Sequence, residues 1–358
     1  MTEHYPLLEP ILAQYFDWSK TPLRAIKPIN DGLIHRTFKV TVAHADGDTA
    51  YILQQINTRI FKNPDILVQN HLAVAAYFLE KKWTTQADFS LPTLLKTRTN
   101  HYLARHPADG EVWRLTSFFE NTICLSANPS PHVARLAARA FAKFHETLWD
   151  MDTAELGTPI VDFLNFEQRL AQFQTALAHA SADRRAVAEA EILYLQKQQP
   201  IAEQFVAAVA KKQISQRVIH ADPKWSNVLF DNKLAQVVAI IDLDTLMVGP
   251  LLYDFGDMVR AYSNTKAEDD PAPDGIFDPQ CYAALTAGYC EVLSERLSAA
   301  ERLLLPLAGQ AVVYVQAMRF LTDFLDNDRY YQVRHDLQNL HRAQNQLHHL
   351  RVLQQQLD

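Results

Sequence analysis

Apolar residues in the first third of the chain follow first a helical spacing and then the spacing of strands. In residues 7–16 they recur every three or four positions, which predicts an amphipathic helix. Three segments rich in β-branched and aromatic residues follow and predict strands. The strands are predicted at residues 23–28, 37–42 and 51–55, followed by a helix at residues 63–81 and two more strands near Leu94 and at residues 113–119.

Most of the remaining chain has helical periodicity. Ser130 is a capping residue and Pro131 follows at a first helical position, so a helix is predicted to begin there and to continue to residue 148. Residues 163–211 are alanine-rich and charged, and they contain no recognisable chemical motif. Helices are predicted on both sides of a break at residues 181–183, at residues 252–262, after Pro306, and at residues 333–357, where the histidines are assigned to a solvent-facing side.

A β-hairpin is predicted at residues 228–241, where two apolar runs flank a short polar turn. Polar residues stand at both ends of this hairpin. Those before it have the order H-x-D-x-K-x-x-N, and those after it have the order D-x-D. The residues are His220, Asp222, Lys224 and Asn227 on one side, and Asp242 and Asp244 on the other.

These residue types match the needs of phosphoryl transfer from ATP to a hydroxyl group, which requires a carboxylate, cations and oxygen ligands for Mg²⁺. Asp222 can orient the hydroxyl or accept its proton, and Lys224 can reach the γ-phosphate. Asn227 and Asp242 can bind Mg²⁺, and Asp244 is assigned to a second metal contact or to substrate. The alternative is an ordinary hairpin with unrelated polar ends, because the H-x-D-x4-N spacing alone is a weak motif.

The surrounding sequence strengthens the phosphotransfer interpretation. The stretch resembles the aminoglycoside phosphotransferase and choline kinase superfamily, and IIDLDTLMVGPLLYDFGDMVR at residues 240–260 is similar to the N-acetylhexosamine 1-kinase family. Similar segments occur at residues 51–61 and 319–331 and near Leu340. Within the literal Asp-Phe-Gly triplet, Asp254 is predicted to cap a helix or brace the catalytic loop, because it follows Gly-Pro at a helix start.

The resemblance implies an α+β, bilobal, protein-kinase-like fold. Residues 1–120 would form a small N-lobe with an antiparallel sheet, and residues 121–358 a larger, mainly helical C-lobe. The third strand carries Gln54 where protein kinases have a lysine, which leaves Arg59 and Lys62 as candidate phosphate anchors. The resemblance also places ATP against Gln54 and against a connecting segment formed by Ser117, Phe118, Phe119 and Glu120.

The resemblance further implies ATP- and Mg²⁺-dependent phosphorylation of the anomeric hydroxyl of N-acetylglucosamine or N-acetylgalactosamine. Arg319 and Tyr330 match sugar-associated positions, and His35 is expected near the substrate. For Arg319 the alternative is a salt bridge to Asp323, one helical turn away. Position 33 is a leucine in this chain, whereas the family has a polar residue there. Competing functions are an aminoglycoside, choline or homoserine kinase of the same fold, and a nucleotide-binding pseudokinase.

Composition and charge limit the other function classes. The chain is 48% hydrophobic and 21% charged, as expected for a protein with an ordinary packed core. A net charge of -7 argues against a nucleic-acid partner, which needs a basic surface. There is no signal-peptide pattern and no run of about 18 apolar residues, so no membrane span is expected. Three cysteines without a disulfide framework suit the cytoplasm, and a monomer is slightly favoured.

Overall fold

The computed structural model describes residues 8–29, 34–125 and 129–357, and its first part is an antiparallel sheet with helices beside it. Helix α1 and the inward-facing side chains of the strands share one apolar cluster, because apolar residues alternate along the strands and so occupy one face. The elements are α1 (Glu9–Tyr15) and strands β1 (Leu23–Ile29), β2 (Arg36–His44), β3 (Gly47–Gln55), β4 (Leu103–Arg105) and β5 (Val112–Ser117), in the sheet order β1-β2-β3-β5-β4.

Helix α2 (Pro64–Lys81) connects this sheet to the rest of the molecule. Its N-terminus is capped by Asn63, whose side chain accepts a hydrogen bond from the N–H of Asp65. In the middle of the helix, the buried Asn70 donates to the carbonyl oxygens of Gly157 and Leu246, both at 2.8 Å, and accepts from the N–H of Gly157. Helix α2 is therefore hydrogen-bonded to the second part of the chain.

The second part consists of two small sheets surrounded by helices. The chain leaves β5, passes through residues 118–121 and enters a three-stranded sheet; the predicted lobe boundary after residue 120 lies in this connection and stays a prediction. The strands are β6 (Thr122–Cys124), β7 (Gln216–Ile219), β8 (Val228–Asp231), β9 (Val237–Ile240) and β10 (Met247–Pro250), with β6, β8 and β9 forming one sheet and β7 and β10 the other.

Helix α9 (Ala299–Leu325) is the central helix of this part. By length and composition alone it could cross a membrane, with a mean hydropathy of 1.3, but 61% of its most apolar window is buried inside the protein. A Cβ on Gly256 would lie 2.4 Å from the carbonyl oxygen of Ala308, so two helix backbones cross in close contact there. The other helices are α3 (Pro131–Thr147), α4 (Phe166–His179), α5 (Ala182–Val187), α6 (Glu189–Ala210), α7 (Leu252–Tyr262), α8 (Pro279–Leu293) and α10 (Gln338–Leu357).

This arrangement confirms the predicted α+β architecture, but some predicted elements are wrong. Leu94 makes only an isolated bridge to Thr116, and the additional strand is β4. Pro306 lies inside α9, which begins earlier because Ser298 and Glu301 form a capping box. Residues 163–211 form three helices, with the short α5 between the two predicted ones.

The last helix also differs from its prediction. Helix α10 begins at Gln338, and part of its histidine- and amide-rich surface is buried. His349 is fully buried, and its Nε2 lies 3.0 Å from the hydroxyl of Ser263. Asn345 is fully buried as well and donates to the backbone carbonyl oxygens of two residues in the preceding loop. Polar side chains are accommodated here because they find hydrogen-bond partners.

Candidate active site

The loop between β7 and β8 is held in shape by Asp254, which is buried in the first turn of α7. One carboxylate oxygen accepts the N–H of His220 and the other accepts the N–H of Ala221, both at 2.8 Å. The Nε2 atom of His145 lies 2.9 Å from the same carboxylate. Ala221 has φ of 63°, a left-handed conformation that costs free energy without such support. Asp254 thus has the bracing position that the sequence predicts.

Asp222 follows this braced turn and keeps one carboxylate oxygen free. Its Oδ2 accepts hydrogen bonds from Lys224 Nζ at 2.8 Å and from Asn227 Nδ2 at 2.9 Å. Its Oδ1 makes no hydrogen bond to another residue in the described part of the chain. Burial alone would raise the pKa of Asp222, but the Lys224 ammonium outweighs it and the pKa is lowered. Asp222 is therefore ionised at neutral pH.

Asp242 lies beside Asn227 because two hydrogen bonds hold the residue before it. The N–H of Ile241 donates to the carbonyl oxygen of Asn227 at 2.9 Å, and the Nε2 atom of His220 lies 3.0 Å from the carbonyl oxygen of Ile241. The Asp242 carboxylate is half-buried and has no hydrogen-bond partner among the described residues. Burial raises its pKa, and the neighbouring Asp244 raises it further.

These two residues fit a magnesium ion. Asn227 uses its amide N–H groups on Asp222, which leaves its amide oxygen as the group available to a cation. Asp242 offers a carboxylate that accepts no hydrogen bond from any residue that the structure describes. A carboxylate and an amide oxygen are hard ligands of the kind that Mg²⁺ prefers, with nucleotide phosphates completing the coordination in related chemistry.

Asp244 has protein partners where the sequence predicts a metal or substrate. Arg114 donates to both of its carboxylate oxygens, with Nη2 at 2.8 Å from Oδ2, and His35 Nε2 lies 2.6 Å from Oδ2. Burial alone would raise the pKa of Asp244, but the Arg114 guanidinium and the His35 ring outweigh it and hold the pKa well below its ordinary value. The N–H of Asn57 donates to His35 Nδ1 at 3.1 Å. Both ring nitrogens of the predicted substrate residue His35 are thus engaged within the protein.

Arg114 is held in place by the register of the sheet. Thr37, Gln54 and Arg114 stand directly opposite one another on β2, β3 and β5. The Gln54 amide oxygen accepts from Arg114 Nε at 3.0 Å and Nη2 at 2.8 Å, and its amide nitrogen lies 3.3 Å from the Thr37 hydroxyl. Gln54, predicted to contact ATP, therefore has hydrogen-bond partners inside the sheet.

The sequence interpretation did not identify Arg114 as a functional residue, although a signal was present. Arg114 is the one charged residue in a strand whose residues are buried except at its end. A buried guanidinium requires a partner. That requirement could have predicted an acidic residue nearby, but not which one.

The connection from β5 to β6 leaves backbone donors available at two of the four predicted adenine-binding positions. The N–H of Ser117 donates to the carbonyl oxygen of Thr93, so it is already engaged. The N–H groups of Phe119 and Glu120 have no hydrogen-bond partner among the residues that the structure describes. Lys39 lies over the ring of Phe118, 3.7 Å from its centroid, and 3.5 Å from Glu120 Oε1. These contacts fasten the connection to β2.

Arg319 does not pair with Asp323, which corrects the simpler alternative for this residue. Asp323 instead accepts from the N–H groups of Tyr330 and Tyr331, at 2.7 and 2.9 Å, and so shapes the loop after α9. Arg319 Nη1 donates to the Gln316 amide oxygen at 3.2 Å, and its guanidinium lies 5.3 Å from the ring centroid of Phe163. No carboxylate forms an ion pair with Arg319 among the described residues.

One face of α7 joins the surroundings of Arg319 to those of Asp222. Tyr253, Asp257 and Arg260 lie on this face because they are separated by four and three residues. Burial raises the pKa of Tyr253, Asp257 raises it further, and the nearby Arg319 lowers it. Burial also raises the pKa of Asp257, where Arg260 opposes the effect and Asp222 reinforces it. The seven-residue separation along the helix corresponds to about 10 Å.

The structure thus brings Asp222, Lys224, Asn227 and Asp242 together at one end of this α7 face, which we call the α7 wall. It places Arg319 at the other end. Tyr330 is 55% exposed on the loop beside it. The candidate phosphate anchors Arg59 and Lys62 are both exposed. Leu33 lies outside the described residues.

Comparison with known proteins agrees with the fold. The protein-kinase-like fold is shared with a microcompartment-associated aminopropanol kinase (18% identity, TM-score 0.67, covering 99% of this chain and 98% of that chain). It is shared with an aminoglycoside phosphotransferase from Alicyclobacillus acidocaldarius (16%, TM-score 0.61, 99% and 98%). A spectinomycin phosphotransferase in complex with ADP and spectinomycin is also similar (10%, TM-score 0.55, 93% and 94%). A model of the phosphotransferase enzyme family matches residues 25–304, more than half of the chain, and the chain therefore belongs to that family.

Proposed function

We propose that this protein is an ATP- and Mg²⁺-dependent kinase that phosphorylates the anomeric hydroxyl of an N-acetylhexosamine. The observation that carries the proposal is the ionised Asp222 carboxylate, which has one free oxygen beside Lys224 and the two candidate metal ligands. An acceptor hydroxyl requires such an oxygen, and phosphoryl transfer requires cations around it. The choice of sugar rests on the sequence resemblance.

Each residue of the site has a separate task in the proposed reaction. The free Oδ1 of Asp222 accepts a hydrogen bond from the acceptor hydroxyl and then its proton, as the hydroxyl oxygen bonds to the γ-phosphorus of ATP and the bond from that phosphorus to the leaving ADP breaks. Lys224 compensates charge on the transferred group, and Asn227 and Asp242 would hold Mg²⁺. The ion supplies charge neutralisation at the phosphate oxygens. We assign Asp244 and His35 to positioning, because their polar atoms bind Arg114, Asn57 and each other.

The adenine of ATP is proposed to bind at the connection between β5 and β6. The unpartnered N–H groups of Phe119 and Glu120 support this placement, because backbone donors in a cleft need a partner. The similar spectinomycin phosphotransferase binds ADP. The nucleotide would then lie between the five-stranded sheet and the three-stranded sheet that carries Asp242 at its edge.

Arg319 favours an uncharged or acidic acceptor over a cationic one. Choline and aminoglycosides carry positive charge, and a guanidinium without a carboxylate partner would repel them. A sugar presents several hydroxyl and carbonyl oxygens, which the guanidinium and the Tyr330 phenol can satisfy. Since a buried polar group left unpaired costs about 1 to 3 kcal/mol, such complementarity is a source of specificity.

Asp242 and Asp254 are distinguished by the dependence of turnover on Mg²⁺. We expect Asp242→Ala to raise the Mg²⁺ concentration for half-maximal turnover by at least about tenfold, because a carboxylate ligand is lost. Asp254→Ala should lower stability and turnover without changing that concentration as strongly, because Asp254 binds backbone N–H groups. A magnesium titration of both variants measures this, and a larger shift for Asp254→Ala would reverse the assignment.

Arg319 and Tyr330 are tested by separating the kinetic constants of the two substrates. Arg319→Ala and Tyr330→Phe are expected to raise KM for an N-acetylhexosamine about tenfold or less each, since each removes hydrogen bonds of about 1.5 kcal/mol. KM for ATP should change little, because Arg319 is separated from Asp222 by the length of the α7 face. Equal weakening of ATP and sugar by the two variants would contradict the assignment.

The function as a whole is tested by incubating the protein with ATP, Mg²⁺ and a panel of sugars and amino alcohols, and locating the phosphate by NMR. We expect phosphate on the anomeric oxygen of an N-acetylhexosamine. A better rate with choline, homoserine or an aminoglycoside would replace the proposed substrate. Nucleotide binding without turnover of any acceptor would support the pseudokinase alternative.

A further inference from the structure

A second arginine, Arg169, lies beside Arg319. It belongs to the first turns of α4, a helix that packs against α9. Its Nη1 donates to the Gln172 amide oxygen at 2.9 Å, while its Nε is buried and has no hydrogen-bond partner among the described residues. Burial lowers the pKa of Arg169, and the neighbouring Arg319 lowers it further. Because α4 packs against α9, two like charges lie near each other at a partly buried position.

These two arginines differ from other partly buried arginines nearby. Arg260 pairs with Asp257 at 2.6 Å, and Arg342 lies 3.2 Å from a Glu268 oxygen. In the ranges that the structure describes, neither Arg169 nor Arg319 has a carboxylate within ion-pair distance. Uncompensated guanidinium groups that repel each other are costly unless a ligand supplies the opposite charge.

The free polar atoms around the pair are donors or can act as donors. In the part of the chain that the structure describes, the buried hydroxyl of Tyr331 has no hydrogen-bond partner, like the Nε atom of Arg169. The ring of Tyr331 lies 5.9 Å from the Arg319 guanidinium, and that of Phe163 lies 5.3 Å from it. Flat aromatic faces restrict the guanidinium orientation. The cluster therefore offers oriented donors to an acceptor-rich, negatively charged group.

We propose that Arg169 and Arg319 together bind an anionic substituent of the acceptor, a carboxylate or a phosphate ester, so that the preferred substrate is an acidic sugar. This proposal rests on the proposed function and adds a substrate class to it. Because about 10 Å of α7 separates the two ends of the wall, the anion binds at the end of the acceptor away from the reacting hydroxyl. Arg169 is thereby a specificity residue in a segment whose sequence shows no motif.

The test compares matched acceptors that differ in one charge. N-acetylglucosamine is compared with N-acetylglucosamine 6-phosphate, and glucose with glucuronic acid, in the full-length protein with ATP and Mg²⁺. For the wild type we expect kcat/KM for at least one acidic acceptor to exceed that of its neutral partner about tenfold or more, since charge-assisted hydrogen bonds to guanidinium are strong. The two pairs distinguish a carboxylate from a phosphate ester.

Arg169→Gln is expected to reduce this acidic-to-neutral ratio about tenfold, and Arg169→Lys should retain part of it because the charge remains. Arg185→Gln is the control, since Arg185 is exposed on α5 and its replacement changes the net charge equally. A purely structural role of Arg169 would lower kcat/KM for both acceptors alike and leave the ratio unchanged, which would overturn the proposal.

Failure of the proposed function and failure of this inference are separable. If N-acetylglucosamine is phosphorylated but the acidic acceptors are no better, the kinase assignment stands and the anion subsite is wrong. If no sugar is phosphorylated, calorimetric titration with glucuronate and with N-acetylglucosamine 6-phosphate still decides the subsite. Binding that weakens about tenfold in Arg169→Gln but not in Arg185→Gln supports it, and equal binding to all three proteins refutes it.

Discussion

Replacing Asp222 with asparagine is expected to lower turnover by about 10² to 10⁴-fold while leaving ATP binding nearly unchanged. Asparagine keeps the size and one acceptor oxygen of the side chain, but it cannot take the proton of the acceptor hydroxyl. Because Oδ2 of Asp222 accepts from Lys224 and Asn227, the free Oδ1 is the atom whose basicity the substitution removes. Steady-state turnover and calorimetric titration with a nucleotide analogue measure the two effects.

The control for this variant is Asp231→Asn in the neighbouring hairpin. Asp231 Oδ1 accepts the N–H groups of Ala235 and Gln236, and an asparagine oxygen can accept the same bonds. Its turnover should remain within about twofold of the wild type, because surface substitutions that keep such bonds change little. Turnover by Asp222→Asn close to that of the control would remove Asp222 from the catalytic role.

Replacing Arg114 with methionine is expected to lower the free energy of unfolding by about 3 to 5 kcal/mol, because Asp244 would remain buried without its charged partner. The substitution should also raise the Mg²⁺ concentration for half-maximal turnover. The reason is that Asp244 belongs to the short turn that follows Asp242, whose φ is 61°. In the wild type the Arg114–Asp244 pair stabilises the fold fully above pH 3.8, which equals the ordinary pKa of an aspartate. This stabilisation is lost as the pH falls towards the lower pKa that Asp244 has in the folded protein. Urea unfolding and magnesium titration measure these effects.

A double-mutant cycle separates stability from positioning. Arg114→Met combined with Asp244→Leu removes both charges and should regain part of the lost stability, whereas the Mg²⁺ dependence should remain impaired. Arg135→Met breaks an exposed pair with Glu291 at 2.8 Å and should change the unfolding free energy by less than about 1 kcal/mol. If Arg114→Met and Arg135→Met lower the free energy of unfolding by similar amounts, the buried network stabilises the fold no more than an exposed ion pair does.

The proximity of Asp222, Lys224, Asn227 and Asp242 could be predicted from sequence because local structure brings these residues together. The positions from His220 to Asn227 lie on one loop, and the hairpin that follows returns the chain directly to Asp242. The turn residues and alternating apolar runs of that hairpin fix its register over a short distance. Local patterns of this kind also predict the limits of α7 and of the first two strands to within two residues, whereas β3 begins four residues before its predicted start.

The contacts of Asp244 and His35 with other residues could not be predicted in this way. His35 and Asp244 are 209 positions apart, and Arg114 and Asp244 are 130 apart, so their contacts depend on how the two parts of the molecule are assembled. The spacing of residues in one hairpin cannot distinguish an unpaired carboxylate such as that of Asp242 from one such as that of Asp244, which binds an arginine from another sheet. The position of Arg169 near Arg319 could not be predicted for the same reason, since it depends on the packing of α4 against α9.

Assembly explains the buried polar residues of the last helix as well. An amphipathic pattern assigns histidine and asparagine to the solvent, because most such residues are exposed. His349 and Asn345 are buried because Ser263 and the loop after α7 cover them and supply partners. The sequence of α10 does not contain those partners.

The hydrogen bonds of Asn70 set a limit on how this protein could be regulated. In protein kinases, activity is controlled in part by the position of the helix that packs behind the N-terminal β-sheet. Here that helix is tied through Asn70 to Gly157 and to Leu246, two residues beyond Asp244. An outward swing would break three hydrogen bonds of a buried side chain, at about 1 kcal/mol or more each. Because Leu246 ends the short turn that follows Asp242, an outward movement of α2 would also disturb that turn.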